Sequence, residues 1–328
     1  MKTMGFVISH KNGEQRRAIL PEDIGALKHP GQLYFESGYG LSVGASDEEY
    51  IAAGCHIVSR DEAMACDTIA DVKLGDADYL DKLSPNKILF GWAHTVQNLD
   101  FTSAMLNDNH SVIAWEEIFE DGRYIFYRNR EVAGEAAVLH AFRYCGRMPY
   151  DSRVAILGNG QTAKGAMRIL HGLGAEVDVY GRRQEQLFRK KMFEYDVLVN
   201  CVMWDTARED RIIYREDLKK FRPGTLIIDV SCDPELEIET SRPTTIEDPV
   251  YTVDGVIHYA VDNTPAMFPI TVTRVLSRGI GRYIDIVLES DFDSYPDNLK
   301  RLLSSVRDIF WTSVSAISAK NAASSANK

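Results

Sequence analysis

The sequence predicts an α/β protein built from two doubly wound domains with a cleft between them. Short β-branched runs alternate with amphipathic helical segments in the first third of the chain, and the same alternation resumes in the middle. The 328 residues, of which 45% are hydrophobic, suffice for two buried cores. We expect residues 1–130 and 270–328 to form one discontinuous domain, and residues 131–269 to form the other.

The first third of the chain predicts a parallel sheet flanked by helices. Its strands are expected at "MGFVIS", "LYFES", "TIADVKL", "KILFGWA" and "SVIAWE". Helical spacing separates them, as in "PEDIGALKH" and "SDEEYIAAG".

The middle of the chain predicts a second parallel sheet, because strand and helix patterns alternate there more clearly. Its strands are expected at "VAILG", "EVDVYG", "YDVLVNCV", "TLIIDVS" and "VIHYAVD". A helix from Glu131 to Gly146 is expected to join the two sheets, and "VTRVLSRGIGRYIDIVLES" predicts a long helix that packs back on the first domain. The tail "SAISAKNAASSANK" is small and polar, so we expect it to fray.

Composition excludes several classes of partner. A net charge of −11 without a basic block disfavours nucleic acid. No apolar run is long enough to span a membrane and the N-terminus has no signal-peptide pattern, so we expect a cytoplasmic protein without a membrane partner. The five scattered cysteines form no C-x-x-C pair, which predicts reduced thiols and no metal site. We also expect a homo-oligomer.

The motif "VAILGNGQTAKG" predicts a Rossmann-like dinucleotide site. Gly158 allows a tight turn, Gly160 lets the backbone approach a pyrophosphate, and Ala163 keeps the strand close to the following helix. The N-terminus of that helix attracts phosphate through its unpaired N–H groups. The alternative is a turn with a purely structural role.

The end of the next strand indicates which dinucleotide binds. An NAD site places a carboxylate there to bond the ribose 2′-hydroxyl, whereas an NADP site accepts a phosphate. This chain has Gly181, Arg182 and Arg183 instead. A guanidinium binds phosphate oxygens bidentately, so NADP(H) is the expected cofactor. The alternative is that both arginines are ordinary surface residues.

Four side chains follow predicted strands and suit chemistry on a carboxylate substrate. Arg16 and Lys73 supply cations, and His94 titrates near neutral pH. Asp233 follows a strand of the second predicted sheet. Ligands gather at the carboxyl ends of parallel strands, so these groups are candidates for one site. Lys73 and His94 also have ordinary interpretations, as a solvated lysine and as a hydrogen-bonded structural histidine.

Over nearly its full length, the chain resembles the alanine dehydrogenase and pyridine nucleotide transhydrogenase family. The resemblance is carried by "EQRRAILP", "LFGWAH", "REVAGEAA", "LGNGQTAKG", "LIIDVSCDPELEIETSRPTTIEDPVY" and "GVIHYAVDNTPAMFP". It implies that Arg16 and Lys73 bind a substrate carboxylate and that His94 and Asp233 are catalytic. It also implies that Asn263 contacts the cofactor.

Two departures from the family pattern narrow the expected reaction. Gly181 stands where NAD-dependent members have an acidic residue, and Arg130 stands where the family usually has a small hydroxyl residue. The stretches "MKTMGFVISHKN", "RRAILPEDI" and "WEEIFEDGRYIFYRNREVAGEAA" are similar to members that use NADPH to condense pyruvate reductively with the side-chain amine of ornithine or lysine. Such a reaction needs a cation for the carboxylate of the amino acid. The candidates are Arg130, Arg128 and Arg17.

Two other functions stay open on the sequence. One is an alanine- or saccharopine-dehydrogenase-like activity, which Gly181 and Arg130 disfavour. The other is a non-catalytic NADP-binding module, which the presence of Arg16, Lys73, His94 and Asp233 disfavours. For Asp233 itself, orienting His94, holding the amine and stabilising an iminium all remain open. Arg130 has an ordinary alternative as well, namely pairing with Glu131 or Glu135.

Overall fold

The protein is described by a computed structural model that covers residues 1–95, 98–205, 208–290 and 294–295. The chain divides into two compact units. Unit 1 contains Met1–Phe126 and the chain from Pro269 onward, and unit 2 contains Tyr127–Phe268. Both units carry the predicted α/β architecture, so the expected fold class is confirmed.

Unit 1 is organised around a six-stranded parallel sheet. Its strands are β1 (Met4–Phe6), β2 (Leu33–Glu36), β3 (His56–Val58), β4 (Thr68–Asp71), β5 (Ile88–Gly91) and β6 (Ser111–Ala114). The strand order β3-β2-β1-β4-β5-β6 is that of a doubly wound fold. Consequently β1, β4 and β5 are neighbours, and the loops that follow them leave the same edge of the sheet.

The helices of unit 1 are short except the last. They are α1 (Pro21–Ile24), α2 (Asp47–Ala52), α3 (Arg60–Ala65) and α4 (Leu99–Asn107), and a small hairpin pairs β7 (Phe119–Glu120) with β8 (Arg123–Tyr124). Ser46 and Ser59 begin α2 and α3 with complete capping boxes, which fix where these helices start.

The long helix α9 (Pro269–Glu289) belongs to unit 1, as its sequence predicts. Residues three or four apart, including Val272, Leu276 and Ile280, are fully buried. Two hydroxyls on the same helix accept backbone N–H groups, from Arg17 to Thr273 Oγ1 at 2.9 Å and from Leu20 to Ser277 Oγ at 2.9 Å. The helix therefore holds the loop that carries Arg16.

Unit 2 is built around a second six-stranded sheet. Its strands are β9 (Arg153–Leu157), β10 (Glu176–Tyr180), β11 (Val197–Asn200), β12 (Leu226–Asp229), β13 (Val250–Val253) and β14 (Val256–Tyr259). The order is β10-β9-β11-β12-β14-β13, and the edge strand β13 is antiparallel while the others are parallel. The helices are α5 (Tyr127–Ala141), α6 (Gln161–Gly172), α7 (Glu185–Lys191) and α8 (Arg215–Leu218).

Helices α5 and α6 cross at two glycines. A Cβ on Gly165 would lie 1.9 Å from the carbonyl oxygen of Glu131, and one on Gly134 would lie 2.0 Å from that of Thr162. Only glycine permits this approach. The crossing places the first turns of both helices side by side, which brings Arg130 next to the glycine-rich turn.

Several elements differ from the sequence-based expectations. The region "PEDIGALKH" forms only the single turn α1, and the helix expected over 131–146 instead spans Tyr127–Ala141. Strands β3 and β13 and the β7–β8 hairpin were not predicted, because they are short edge or hairpin strands with weak alternation. The tail expected to fray lies outside the described residues. Among those residues, no helix combines the length and apolar content that crossing a membrane requires.

Candidate functional site

The glycine-rich turn of unit 2 has the geometry that its sequence predicts. Gly158 has φ of 100°, and a Cβ there would lie 2.7 Å from the carbonyl oxygen of Cys201. Its N–H donates to the carbonyl of Tyr180 at 2.9 Å. Gly160 precedes α6 and has open space where a side chain would project. Gly158 therefore favours glycine, and Gly160 leaves room for a ligand.

The first turn of α6 faces a cavity. Within the described part of the chain no side chain caps this helix, so its first N–H groups are available to an anion. The cavity has a volume of about 690 Å³, in the range of small-molecule sites. Ala163 is fully buried behind it, in the core between α6 and the sheet.

The cavity is lined by residues from several loops at the carboxyl ends of the strands. Its walls include Arg130, Gly158, Gly160, Thr162, Gly181, Arg182, Glu185, Cys201, Trp204, Arg208, Ser231 and Asp233. Five of the predicted site residues of unit 2 therefore meet in one place. Arg183 and Asn263 are not among the described residues that line the cavity.

Gly181 and the arginines after it form a short turn at the end of β10. The Gly181 N–H donates to Gln184 Oε1 at 3.0 Å, and Arg182 and Arg183 are both exposed. Arg182 borders the cavity.

Asn263 lies in the turn that precedes Thr264–Met267. It adopts a left-handed conformation with φ of 64°, which asparagine tolerates better than most residues. Thr264 Oγ1 donates to the carbonyl of Ala133 at 3.0 Å, so this turn is tied to α5.

A second arginine near Arg182 is not indicated by any sequence pattern. The Arg208 guanidinium bonds Glu185 and Asp210, and its Cζ lies 4.2 Å from the centre of the Trp204 ring. Glu185 opens α7, whereas Arg208 follows β11, so no local pattern links them. Only the fold brings them together.

Asp233 lies on the loop after β12 and borders the same cavity. Burial raises the pKa of its carboxyl, and the nearby Asp229 raises it further. The preceding residue, Cys232, has φ of 59°, a left-handed conformation that is strained for a cysteine. The loop is therefore held in a specific shape rather than in a relaxed one.

A buried polar network, which no sequence pattern indicates, holds this loop from below. Asn200 Nδ2 donates to Asp229 Oδ1 at 2.8 Å and to Glu237 Oε1 at 2.6 Å. Ser241 Oγ donates to Asp229 Oδ2, and the Cys232 N–H donates to Asp229 Oδ1 at 3.3 Å. The network thus connects β11, β12 and the loop carrying Asp233.

Two carboxyls share this network, and burial disfavours charging both. Burial raises the pKa of Glu237 to about 7, with the Asp229 carboxylate as the next cause. Burial also raises the pKa of Asp229. The pair therefore favours one carboxylate and one carboxylic acid near neutral pH.

In unit 1, Trp92 contacts Arg16 and the loop that carries Lys73. The Arg16 guanidinium lies 5.0 Å from the centre of its ring. The Trp92 carbonyl accepts the Gly75 N–H at 2.8 Å, two residues beyond Lys73. His94 follows Trp92 by two residues. The loops after β1, β4 and β5 therefore converge, as the sequence predicts for parallel strands.

Arg16 and Lys73 are both buried, at 1% and 8% exposure. The Arg16 guanidinium bonds Glu14 bidentately, from Nε at 2.8 Å and from Nη2 at 2.5 Å. The Lys73 N–H donates to Asp71 Oδ1 at 2.9 Å, and the Tyr79 hydroxyl donates to Asp71 Oδ2 at 2.9 Å. Burial raises the pKa of Asp71 to about 6.

His94 has a left-handed backbone, with φ of 48°. Its N–H donates to Glu116 Oε1 at 2.5 Å, and the Ala93 N–H donates to Oε2 at 3.2 Å. Such backbone conformations recur at functional sites, where surrounding contacts maintain them. Glu116 therefore fixes the direction in which His94 leaves the sheet.

The alternative arginines for a second carboxylate have other contacts. Arg17 is buried and donates from Nη1 to the carbonyl of Arg16 at 2.8 Å and from Nε to the carbonyl of Tyr39. Arg128 bonds Glu131, which also accepts from Arg168 Nη2 at 2.9 Å. Of the three candidates, Arg130 is the one that borders the cavity.

Comparison with known proteins identifies relatives across most of the chain. The family model described as "Alanine dehydrogenase/PNT, N-terminal domain" matches residues 8–125, and the corresponding C-terminal domain model matches residues 181–306. N(5)-(carboxyethyl)ornithine synthase of Lactococcus lactis subsp. lactis is 32% identical over 84% of this chain and 92% of its own length. Alanine dehydrogenase 1 of Staphylococcus aureus is 26% identical over 85% of both chains.

A solved L-alanine dehydrogenase has the same fold, with a TM-score of 0.82 and 22% identity over 94% of this chain and 99% of that one. Together with the matched family models, these similarities establish that the chain belongs to the alanine dehydrogenase/PNT family and is an oxidoreductase of the amino-acid dehydrogenase type.

Proposed function

We propose that this protein uses NADPH to condense pyruvate reductively with the side-chain amine of ornithine or lysine, giving an N-carboxyethyl amino acid. The observation that carries the proposal is the end of β10, where Gly181 and Arg182 border the nucleotide cavity in place of a carboxylate. The similarity to carboxyethylornithine synthases supports the substrates.

The residues of unit 2 fit a dinucleotide. The Gly158 turn excludes a side chain, Gly160 leaves open space, and the uncapped N-terminus of α6 suits a pyrophosphate. Arg182 and Arg183 are assigned to the 2′-phosphate, and Asn263 to the nicotinamide side. The bound cofactor supplies the hydride for reduction.

Arg16 and Lys73 are assigned to the pyruvate carboxylate. Burial of both cations strengthens their interaction with an anion, because little water competes. Glu14 fixes the plane of the Arg16 guanidinium by its bidentate contact. Holding the carboxylate orients the keto carbon for attack.

His94 is assigned to the proton transfers of imine formation. The neutral side-chain amine attacks the keto carbon, and a proton delivered to the former keto oxygen lets it leave as water. The resulting imine would be reduced to a secondary amine by a hydride from the bound dinucleotide and a proton. Asp233 is assigned to orienting His94, holding the amine or stabilising the iminium.

Arg130 is assigned to the carboxylate of the amino-acid substrate. Of Arg130, Arg128 and Arg17, it is the one that borders the nucleotide cavity. An alanine- or saccharopine-dehydrogenase-like reaction is the second candidate, favoured by the similarity to alanine dehydrogenases.

The test is a comparison of amine donors in an NADPH-oxidation assay with pyruvate. We expect ornithine or lysine to support turnover with a kcat/KM at least tenfold above that with ammonia, since only a diamino acid uses a second carboxylate site. NADH should support less turnover than NADPH. A preference for ammonia would favour the second candidate, and no turnover with any donor would indicate a non-catalytic NADP-binding module.

A further inference from the structure

One end of the unit 2 cavity is more heavily charged than the glycine-rich turn. Around the end of β10, the cavity walls carry two arginines, Arg182 and Arg208, and two carboxylates, Glu185 and Asp205. In a doubly wound fold this end, beyond the second strand, receives the ribose of the adenosine. A 2′-phosphate there meets carboxylates as well as cations.

Arg208 is held on three sides. Asp210 accepts from Nε at 2.8 Å and from Nη2 at 2.7 Å, while Glu185 accepts from Nη1 at 2.9 Å and from Nη2 at 2.9 Å. The Trp204 ring lies against the guanidinium, 4.2 Å from its Cζ. The two carboxylates therefore occupy different edges of one guanidinium.

The two carboxylates also differ in position. Glu185 borders the cavity, whereas Asp210 is not among the described residues that line it. A guanidinium edge binds a carboxylate and a phosphate with the same bidentate geometry. The edge formed by Nη1 and Nη2, which Glu185 occupies, is thus the one that a ligand in the cavity can take over.

We propose that Glu185 is an internal stand-in for the 2′-phosphate of NADPH, which displaces it from the Nη1/Nη2 edge of Arg208. Asp210 and Trp204 keep the guanidinium in place while this exchange occurs. Arg208 is then a specificity-determining residue that complements Arg182, and Glu185 lowers the affinity for the phosphorylated cofactor. The proposal rests on the proposed preference for NADPH.

The exchange predicts opposite effects for the two partners of one ion pair. Glu185→Gln removes the competing charge from the exchanging edge, so 2′-phosphate binding improves. Arg208→Gln removes the cation, so 2′-phosphate binding weakens. Asp210→Asn is the matched control, because it removes the same charge from the same guanidinium but on the other edge.

The experiment measures the binding of 2′,5′-ADP and 5′-AMP to the full chain by calorimetry. These probes differ only in the 2′-phosphate, so the ratio of their Kd values reports on that group alone. We expect Glu185→Gln to raise the preference for 2′,5′-ADP about three- to tenfold and Arg208→Gln to lower it about tenfold or more. Asp210→Asn should not raise it.

Thermal melting verifies that each variant folds, and Arg208→Lys replaces Arg208→Gln if the latter does not, since it keeps the charge but loses the fork. If Glu185→Gln and Asp210→Asn raise the preference for 2′,5′-ADP equally, the effect comes from the overall charge near Arg208. That result would overturn the proposed exchange. An unchanged preference in Glu185→Gln and Arg208→Gln, with the wild type still favouring 2′,5′-ADP, would overturn only this inference. No preference in the wild type would overturn the NADPH assignment as well.

Discussion

At the scale of single residues, the proposed proton transfers depend on His94. His94→Ala should lower kcat roughly 10²- to 10⁴-fold, the range expected for a positioned acid–base group. NADPH binding should stay near the wild-type value, because the nucleotide cavity is lined by residues of unit 2. Steady-state rates, cofactor titration and thermal melting distinguish the outcomes. A variant that turns over normally, or one that simply unfolds, would make His94 a structural residue.

Glu237 should make stability depend on pH. Its pKa of about 7 lies above the ordinary value for glutamate, so the folded state holds a proton that the unfolded state has released. By linkage, this residue lowers stability as pH rises from about 4.5 to about 7, and the loss stays constant above that range. Glu237→Gln keeps an acceptor for Asn200 and removes this effect.

The measurement is the thermal midpoint of wild type and Glu237→Gln at pH 5 and pH 8. We expect the thermal midpoint of the variant, relative to that of the wild type, to be higher at pH 8 than at pH 5. Glu247→Gln, at an exposed position, is the control and should show no such gain. A difference between wild type and Glu237→Gln that does not change with pH would mean that Glu237 is ionised throughout.

The sequence indicated some of these residues and not others for physical reasons. Gly158 and Gly160 lie in a local motif, and Arg16, Lys73 and His94 follow strands, so their positions can be argued from nearby residues. Arg208 pairs with Glu185 across 23 residues, and Asn200 with Glu237 across 37. Such contacts depend on the folded chain, and no spacing rule indicates them.

At the scale of elements, the crossing of α5 and α6 positions the nucleotide cavity. Gly165→Ala would place a Cβ 1.9 Å from the Glu131 carbonyl oxygen, so the helices must separate. We expect a loss of about 1–3 kcal/mol in stability, the usual cost of overpacking. The KM for NADPH should also rise, because Thr162 and Arg130 border the cavity.

Gly172→Ala on the same helix is the matched control. Nothing lies within 4 Å of its added Cβ, and alanine is a better helix former by up to about 1 kcal/mol. Thermal melting and NADPH titration should therefore show a stable, normally binding protein. Equal behaviour of the two variants would contradict the close crossing.

Helices and strands can be predicted from the sequence where their hydrophobic periodicity is strong. The ten strands expected from apolar runs are present, and α9 has the long amphipathic repeat that its sequence shows. Strands β3 and β13 are not indicated by their sequences because neither contains a buried apolar run, whereas the equally short edge strand β6 buries Val112, Ile113 and Ala114. The start of α5 was misplaced because "YRNR" has no apolar stripe.

At the scale of the whole molecule, each unit supplies a different part of the proposed chemistry. Unit 2 carries the nucleotide cavity, and unit 1 carries buried cations and His94 at the carboxyl edge of its sheet. The fold class and the family follow from long sequence blocks spread over both units. The fold alone does not name the substrates, because one architecture hosts many reactions.

The most direct test of the proposed reaction is the product of one reaction mixture. The protein is incubated with pyruvate, ornithine and NADPH that carries deuterium at both positions of nicotinamide C4, and the product is identified by mass spectrometry. We expect one compound with the mass of ornithine plus pyruvic acid minus water, plus one deuterium and one proton, with the deuterium on the former keto carbon. Deuterated alanine formed only when ammonia is added, or deuterated lactate formed without any amine, would contradict it.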